Sequence, residues 1–264
     1  MALFSHEKEK EENKKRKTAG DATTVSKRSL LPSICSNFLR GPSPPPKMAT
    51  PLAAPFPEFP ADAVLRKGRA AIEGSESISS VKASDVIAAA AKTSGATLVY
   101  CLRRPGCVLC RATALRLAAL APKLEADLGV TIICVANAWM PAEIDAFQKD
   151  FWQPPLEIYL DEDKAFFKAL GNGTLRKGSL LHLLGLINPF SRVYSNAKRA
   201  KQAVGDNHNL VGEGLTLGGV IAVIKEKKTS SLSFAGGFQE RSFGDAPTDE
   251  QVVELAKMAV EAAK

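Results

Sequence analysis

Three short apolar runs constrain the fold more than anything else in this chain. ATLVYCLR (96–103), VTIICVAN (130–137) and TLGGVIAVIK (216–225) are rich in β-branched and aliphatic residues, the pattern of strands buried in a sheet. Helix-forming segments separate them. VKASDVIAAAAKTSG (81–95) predicts an alanine-rich helix capped by Ser84 and stopped at Gly95. After the first strand, Leu117, Leu120, Leu124 and Leu128 recur at helical spacing up to Gly129, with Pro122 inside the helix and expected to kink it. PAEIDAFQKDF (141–151) predicts a helix with Pro141 in its first turn.

LEIYLDED (156–163) predicts a strand and turn, and KAFFKAL (164–170) a short helix ended by Gly171. Residues 171–209 mix helical and loop signals and are expected to form an insertion packed at one edge. SLSFAGG (231–237) pairs with the third run as a hairpin. The last helix starts at Thr248, with Gln251 three residues on, then Val252, Leu255, Ala256 and Ala259 on one face. Strands alternating with helices, closed by a hairpin and a helix, predict an α/β sandwich: a central mixed β-sheet flanked by helices, in one domain.

That domain is expected to span residues 61–264, behind a disordered basic and Pro-rich tail, residues 1–60. HEKEKEENKKRK (6–17) mixes both signs of charge, and GPSPPPK (41–47) leads into further prolines up to Pro60. Such a stretch buries too little apolar surface to offset its ordering entropy. The net charge of +7 raises the question of nucleic acid, but much of the basic charge falls in this tail. A polyanion-binding arm at residues 8–17 ranks last among the functional readings, and no nucleic-acid partner is expected. The acidic residues from Glu7 to Glu12 speak against a transit peptide, and MALFSH lacks the layout of a signal peptide. No apolar run approaches the roughly 18 residues needed to span a bilayer. The five cysteines are too few and too irregular for a secreted disulfide scaffold. A cytoplasmic protein is expected, an organellar one being the alternative.

RRPGCVLCR (103–111) is where the chemistry concentrates. A strand leads into a CxxC that opens a helix, so Cys107 stands where free backbone N–H groups and the helix dipole stabilise an anion. That placement lowers a thiol pKa from about 8.5 toward neutrality. Arg104 and Arg111, with Arg103 beside them, supply positive charge that stabilises a thiolate. Cys107 is expected exposed and attacking. Cys110, one turn on, is expected to lie behind it and resolve a sulfenic acid or mixed disulfide. Zinc needs about four ligands, whereas here there is one pair, and His182 and His208 lack ligand spacing. A pair of small core residues is the bland alternative. Cys101 and Cys134 lie within apolar runs and read as core, and Cys35 falls in the tail. GEGLTLGG (212–219) lacks a phosphate-loop ending and precedes a strand. Its glycines read as a turn, or as a place where backbone passes close to the cysteine pair.

RRPGCVLCR, together with IYLDEDKAFF (158–167), GEGLTLGGVIAV (212–223) and QERSFGDAPT (239–248), resembles the peroxiredoxin-like 2 family, a thioredoxin-fold branch related to AhpC/TSA proteins. The resemblance covers about residues 80–262. It implies a thioredoxin-like fold, redox-active Cys107 and Cys110, and an antioxidant or redox-regulatory role that reduces peroxides or disulfides. It implies no bound cofactor: electrons come from thioredoxin or glutathione, and from NADPH only indirectly. Reduction of a prostaglandin-type lipid endoperoxide is one variant reading. A non-enzymatic redox sensor or scaffold is another.

Overall fold

The structure is a computed structural model that describes residues 57–67, 80–138, 140–179 and 188–264. Most of the expected tail, including Cys35, and His182 within the expected insertion lie outside the described residues. The elements are β1 (Val64–Lys67), β2 (Ser80–Lys82), α1 (Ala83–Ala90), β3 (Ala96–Leu102), α2 (Val108–Leu128), β4 (Thr131–Ala136), α3 (Pro141–Asp150), β5 (Ile158–Asp161), α4 (Ala165–Leu170), α5 (Arg192–Val204), β6 (Gly219–Lys225), β7 (Leu232–Gln239) and α6 (Asp249–Ala262). The seven strands form one sheet in the order β2-β1-β5-β4-β3-β6-β7. β3, β4 and β5 run parallel to their neighbours within that trio, and every other pairing is antiparallel. The mixed sheet flanked by helices is a thioredoxin-like α/β arrangement, as the sequence leads one to expect.

The apolar runs are continuous because both faces of the central strands are covered. All seven residues of β3 are buried. Alternate side chains divide between two cores: Leu98, Tyr100 and Leu102 face the layer of α2, α3 and α6, while Val99 and Cys101 face the layer of α1 and α4. Cys134 joins the first core and Cys101 the second, so both behave as core residues.

Several details depart from the expected pattern. α2 runs unbroken for 21 residues through Pro122 and ends at Gly129, whose φ of 66° is left-handed. Ser84 does not cap α1. Lys82 is the N-cap, without a side-chain bond, and the first-turn N–H groups of Ala83 and Ser84 instead donate to the carbonyls of Ala63 and Ala61. β1 and β2 are too short, at four and three residues, to announce themselves as apolar runs. Phe59, inside the expected Pro-rich tail, is buried against the rings of Phe166 and Phe234.

The C-terminal helix keeps its sequence signature. The Thr248 hydroxyl accepts from the Gln251 N–H at 3.3 Å, and the Gln251 carbonyl oxygen Oε1 accepts from the Thr248 N–H at 2.9 Å. This capping box starts the helix that lays Val252, Leu255, Ala256 and Ala259 on the core. Thr248→Ala is expected to lower the unfolding free energy by about 1 kcal/mol. A urea titration checks this: the midpoint should fall while the slope is unchanged.

Candidate active site

The site is assembled where β3 stops. Past Leu102 the chain gives Arg103, Arg104 and a turn at Pro105 and Gly106, and Cys107 becomes the N-cap of α2. Gly106 is required by space: a Cβ there would lie 2.1 Å from Asn209 Oδ1 and 3.0 Å from Glu143 Oε2. Cys110 lies in the first turn of the helix, and both thiols are free. The expectation of an exposed Cys107 does not hold: it is 5% exposed. Residues 207–210 are bound across the loop that carries it, at Arg104, Gly106 and Arg111, which a reading of the CxxC alone does not place there.

The two sulfurs are electrostatically unlike. Cys107 is held well below the usual thiol range, chiefly by a hydrogen bond from the Cys110 thiol, helped by the Arg103 charge and the Cys110 backbone N–H. Burial opposes the shift and is outweighed. Cys110 is pushed well above that range by donating to Cys107 and by burial. The pair is therefore polarised, with Cys107 the more acidic sulfur and Cys110 the less acidic one.

Arg103 is the cation that touches both sulfurs. Its Nη2 donates to Cys107 Sγ at 3.4 Å and to Cys110 Sγ at 3.7 Å, and the residue is 3% exposed. Its guanidinium carbon lies 4.8 Å from the centre of the Phe243 ring. That ring in turn rests on Gly178, where a Cβ would come within 2.4 Å of it. Burial works against the Arg103 charge, but Cys110, Glu240 and Cys107 together hold it firmly protonated. Glu240 is tied in place by the Gly218 N–H at 3.0 Å, and burial raises its carboxyl above the ordinary value while Arg103 opposes the rise.

Arg104 and Arg111, the expected thiolate stabilisers, make their hydrogen bonds elsewhere. Arg111 is 1% exposed. Its Nε donates to Pro105 O at 2.7 Å, its Nη1 to Asn207 Oδ1 at 2.7 Å and to the Asn207 carbonyl, and its Nη2 to Glu143 Oε2 at 3.1 Å. It also covers the Phe151 ring at 4.9 Å. Arg104 Nη1 donates to Leu210 O at 2.9 Å, and its charge lowers the Cys107 thiol less than that of Arg103 does. Both arginines thus tether residues 207–210 over the cysteine loop, and direct contact with sulfur passes to Arg103. Arg103 and Arg104 lie past the end of β3, and Arg103 is held at the sulfurs by what packs around it, the Phe243 ring face and the nearby Glu240 carboxyl.

The tethered segment is further secured by the Asn209 N–H to Gly106 O at 2.8 Å and by Asn209 Nδ2 to Glu143 Oε1 at 2.7 Å. Its glycines then pass close to the site as expected. A Cβ on Gly214 would sit 2.8 Å from Arg104 Nη1, and one on Gly218 would sit 2.2 Å from Cys101 O. Glu240 and Phe243 were legible only as part of the QERSFGDAPT block, and Glu143 and Asn209 carried no sequence signal. Among the described residues, no three His, Cys, Asp or Glu side chains cluster as a metal site.

Comparison with known proteins adds to this geometry. The AhpC/TSA antioxidant enzyme family matches residues 116–235, a stretch that begins after the CxxC. Peroxiredoxin-like 2A of Mus musculus is 36% identical over 160 residues, covering 61% of this chain and 65% of the relative. Peroxiredoxin-like 2A of Danio rerio is 34% identical over 168 residues, covering 62% of this chain and 68% of the relative. The chain thus spans about 65% of the length of the mouse relative it matches. Among solved structures, a mutant of Xanthomonas campestris peroxiredoxin Q is similar with a TM-score of 0.46 and 11% identity, covering 79% of this chain and 96% of that one.

Two measurements separate acidity from access. Iodoacetamide labelling of Cys107 should stay near its maximum at pH 7 and fall only below the depressed thiol pKa. Arg103→Met should move that midpoint upward by roughly one pH unit, slowing labelling at acidic pH while leaving the alkaline maximum in place. Asn209→Ala, which frees the covering segment, should instead speed labelling at every pH and leave the midpoint in place.

Proposed function

The chain belongs to the peroxiredoxin-like 2 family, and on that premise we propose that it is a thiol-dependent antioxidant oxidoreductase in which Cys107 attacks and Cys110 resolves. The observation that carries the reading is Arg103 Nη2 donating to both sulfurs at the start of α2, with the pKa of the Cys107 thiol lowered and that of the Cys110 thiol raised. With a peroxide, the Cys107 thiolate takes one oxygen. The O–O bond breaks, the departing alkoxide takes a proton from solvent, and Cys107 becomes a sulfenic acid. Cys110 then attacks that sulfur, and a disulfide forms with loss of water. With a disulfide substrate, Cys107 forms a mixed disulfide that Cys110 resolves in the same way.

The asymmetry of the pair suits this order. The leading cause of the raised Cys110 pKa is the negative charge it donates to on Cys107. Once Cys107 is oxidised, that charge is gone, and Cys110 deprotonates more readily at the moment it must act. The segment at residues 207–214 gives way to admit the oxidant, since Cys107 is almost wholly covered.

No bound cofactor takes part in this reading. Thioredoxin or glutathione returns the disulfide to the dithiol, NADPH acting through their reductases, and a reducing compartment such as the cytoplasm fits four free cysteines among the described residues. The redox unit is residues 61–264 together with the buried Phe59, and residues 1–60 otherwise form an accessory tail. A lipid endoperoxide is a substrate of the same chemistry, because its O–O bond accepts the same electron pair. A sensor would undergo the same oxidation once, without cycling.

Thiol counting tests the reading. One equivalent of hydrogen peroxide should remove two thiols from wild type and none from Cys107→Ser, and should leave Cys110→Ser as a trappable sulfenic acid. Turnover with thioredoxin or glutathione should follow in wild type alone. Equal behaviour of wild type and Cys107→Ser would sink the assignment, and oxidation without turnover would favour the sensor.

A further inference from the structure

Charge is unevenly spread along this chain. Of its 35 basic and 28 acidic residues, eight basic and no acidic ones fall between Asp163 and Asp206. Four of the eight lie on α5: Arg192, Lys198, Arg199 and Lys201. The helix packs on α2 and has one buried residue, Ala200, while all four cations are exposed. Lys201 pairs with Asp206 at 2.9 Å across the surface, a pairing of small weight. Arg199 donates to the neutral Asn196. Arg192 and Lys198 have no ion-pair partner among the described residues.

Apolar side chains stand at both ends of this cationic helix. Phe190, next to the Ser191 cap, is 95% exposed, and its backbone is held by the Asn188 side chain at 3.0 Å. Beyond the C-terminal end, Leu210 and Val211 are 78% and 56% exposed. These two sit on the segment bound to the cysteine loop through Arg104 and Gly106.

We propose that α5 and its flanking apolar residues form a peripheral membrane-binding face that docks the protein on anionic bilayers. The four cations meet lipid phosphates and carboxylates, and Phe190 enters the headgroup region. A 13-residue helix is roughly 20 Å long, and its four cations spread over the exposed half of its surface. Nucleic acid would satisfy the cations equally, and Phe190 offers one ring for a base, but Leu210 and Val211 offer none, whereas all three partition into a bilayer interface. Docking in this way brings the Cys107 loop near the bilayer, because the segment that follows α5 lies against Gly106. The binding itself requires neither cysteine.

Vesicle flotation of the full chain tests this. Protein should float with phosphatidylcholine vesicles that contain phosphatidylserine, should not float with phosphatidylcholine alone, and should be released by salt. Replacing Arg192, Lys198 and Arg199 with Gln should weaken binding about fivefold per residue. Phe190→Ser should weaken it further while keeping the salt dependence. An unchanged Cys107 labelling profile would confirm that the variants are folded. The proposal is overturned if phosphatidylserine gives no binding, if the triple variant still floats (which would assign binding to the basic tail), or if the face captures RNA and not vesicles.

Discussion

A buried guanidinium is among the most expensive groups a protein can enclose unless something nearby answers its charge. Arg103 is enclosed, and what answers it is the cysteine pair, with the half-buried Glu240 behind and the Phe243 ring face alongside. The dependence runs both ways. The arginine helps to lower the Cys107 thiol pKa, and the negative charge this favours makes burial of the arginine tolerable. Gly178 and Gly218 serve that arrangement, one by making room for the Phe243 ring and the other by holding the Glu240 carboxylate.

The other two arginines of the motif do mechanical work. Arg111 gathers Pro105, Asn207 and Glu143 around one guanidinium, and Arg104 holds Leu210. These bonds knit the start of α2 to a segment some hundred residues later in the chain. In the proposed function, that segment controls access while Arg103 controls acidity, so the two properties can vary separately. The same segment continues from α5, which connects the cationic surface to the cysteine loop by a few residues of backbone.

Much of the fold was legible because burial on both faces writes itself into sequence. The runs at 96–103, 130–137 and 216–225 are apolar at most positions, since both faces of β3, β4 and β6 are covered. The capping box at Thr248 and the glycine after α2 are local geometry and were equally plain. β1 and β2 were not legible, because strands of three or four residues owe their existence to partners such as Asp161 and Leu160 across the sheet. Ser84 misled for a similar reason: backbone from residues 61 and 63 already serves the donors it would have capped.

For the site, the sequence by itself determined that two cysteines would stand one turn apart at a helix N-terminus, with arginines close by. Helix periodicity and the dipole are local, and no distant residue was needed to infer them. Only the tertiary structure decided which arginine reaches the sulfurs, that Cys107 lies covered, and that Glu240, Phe243 and Asn209 complete the surroundings. Those outcomes depend on segments separated by a hundred residues or more meeting at the end of β3. A side chain's direction there is set by what packs against it, not by its neighbours in the chain.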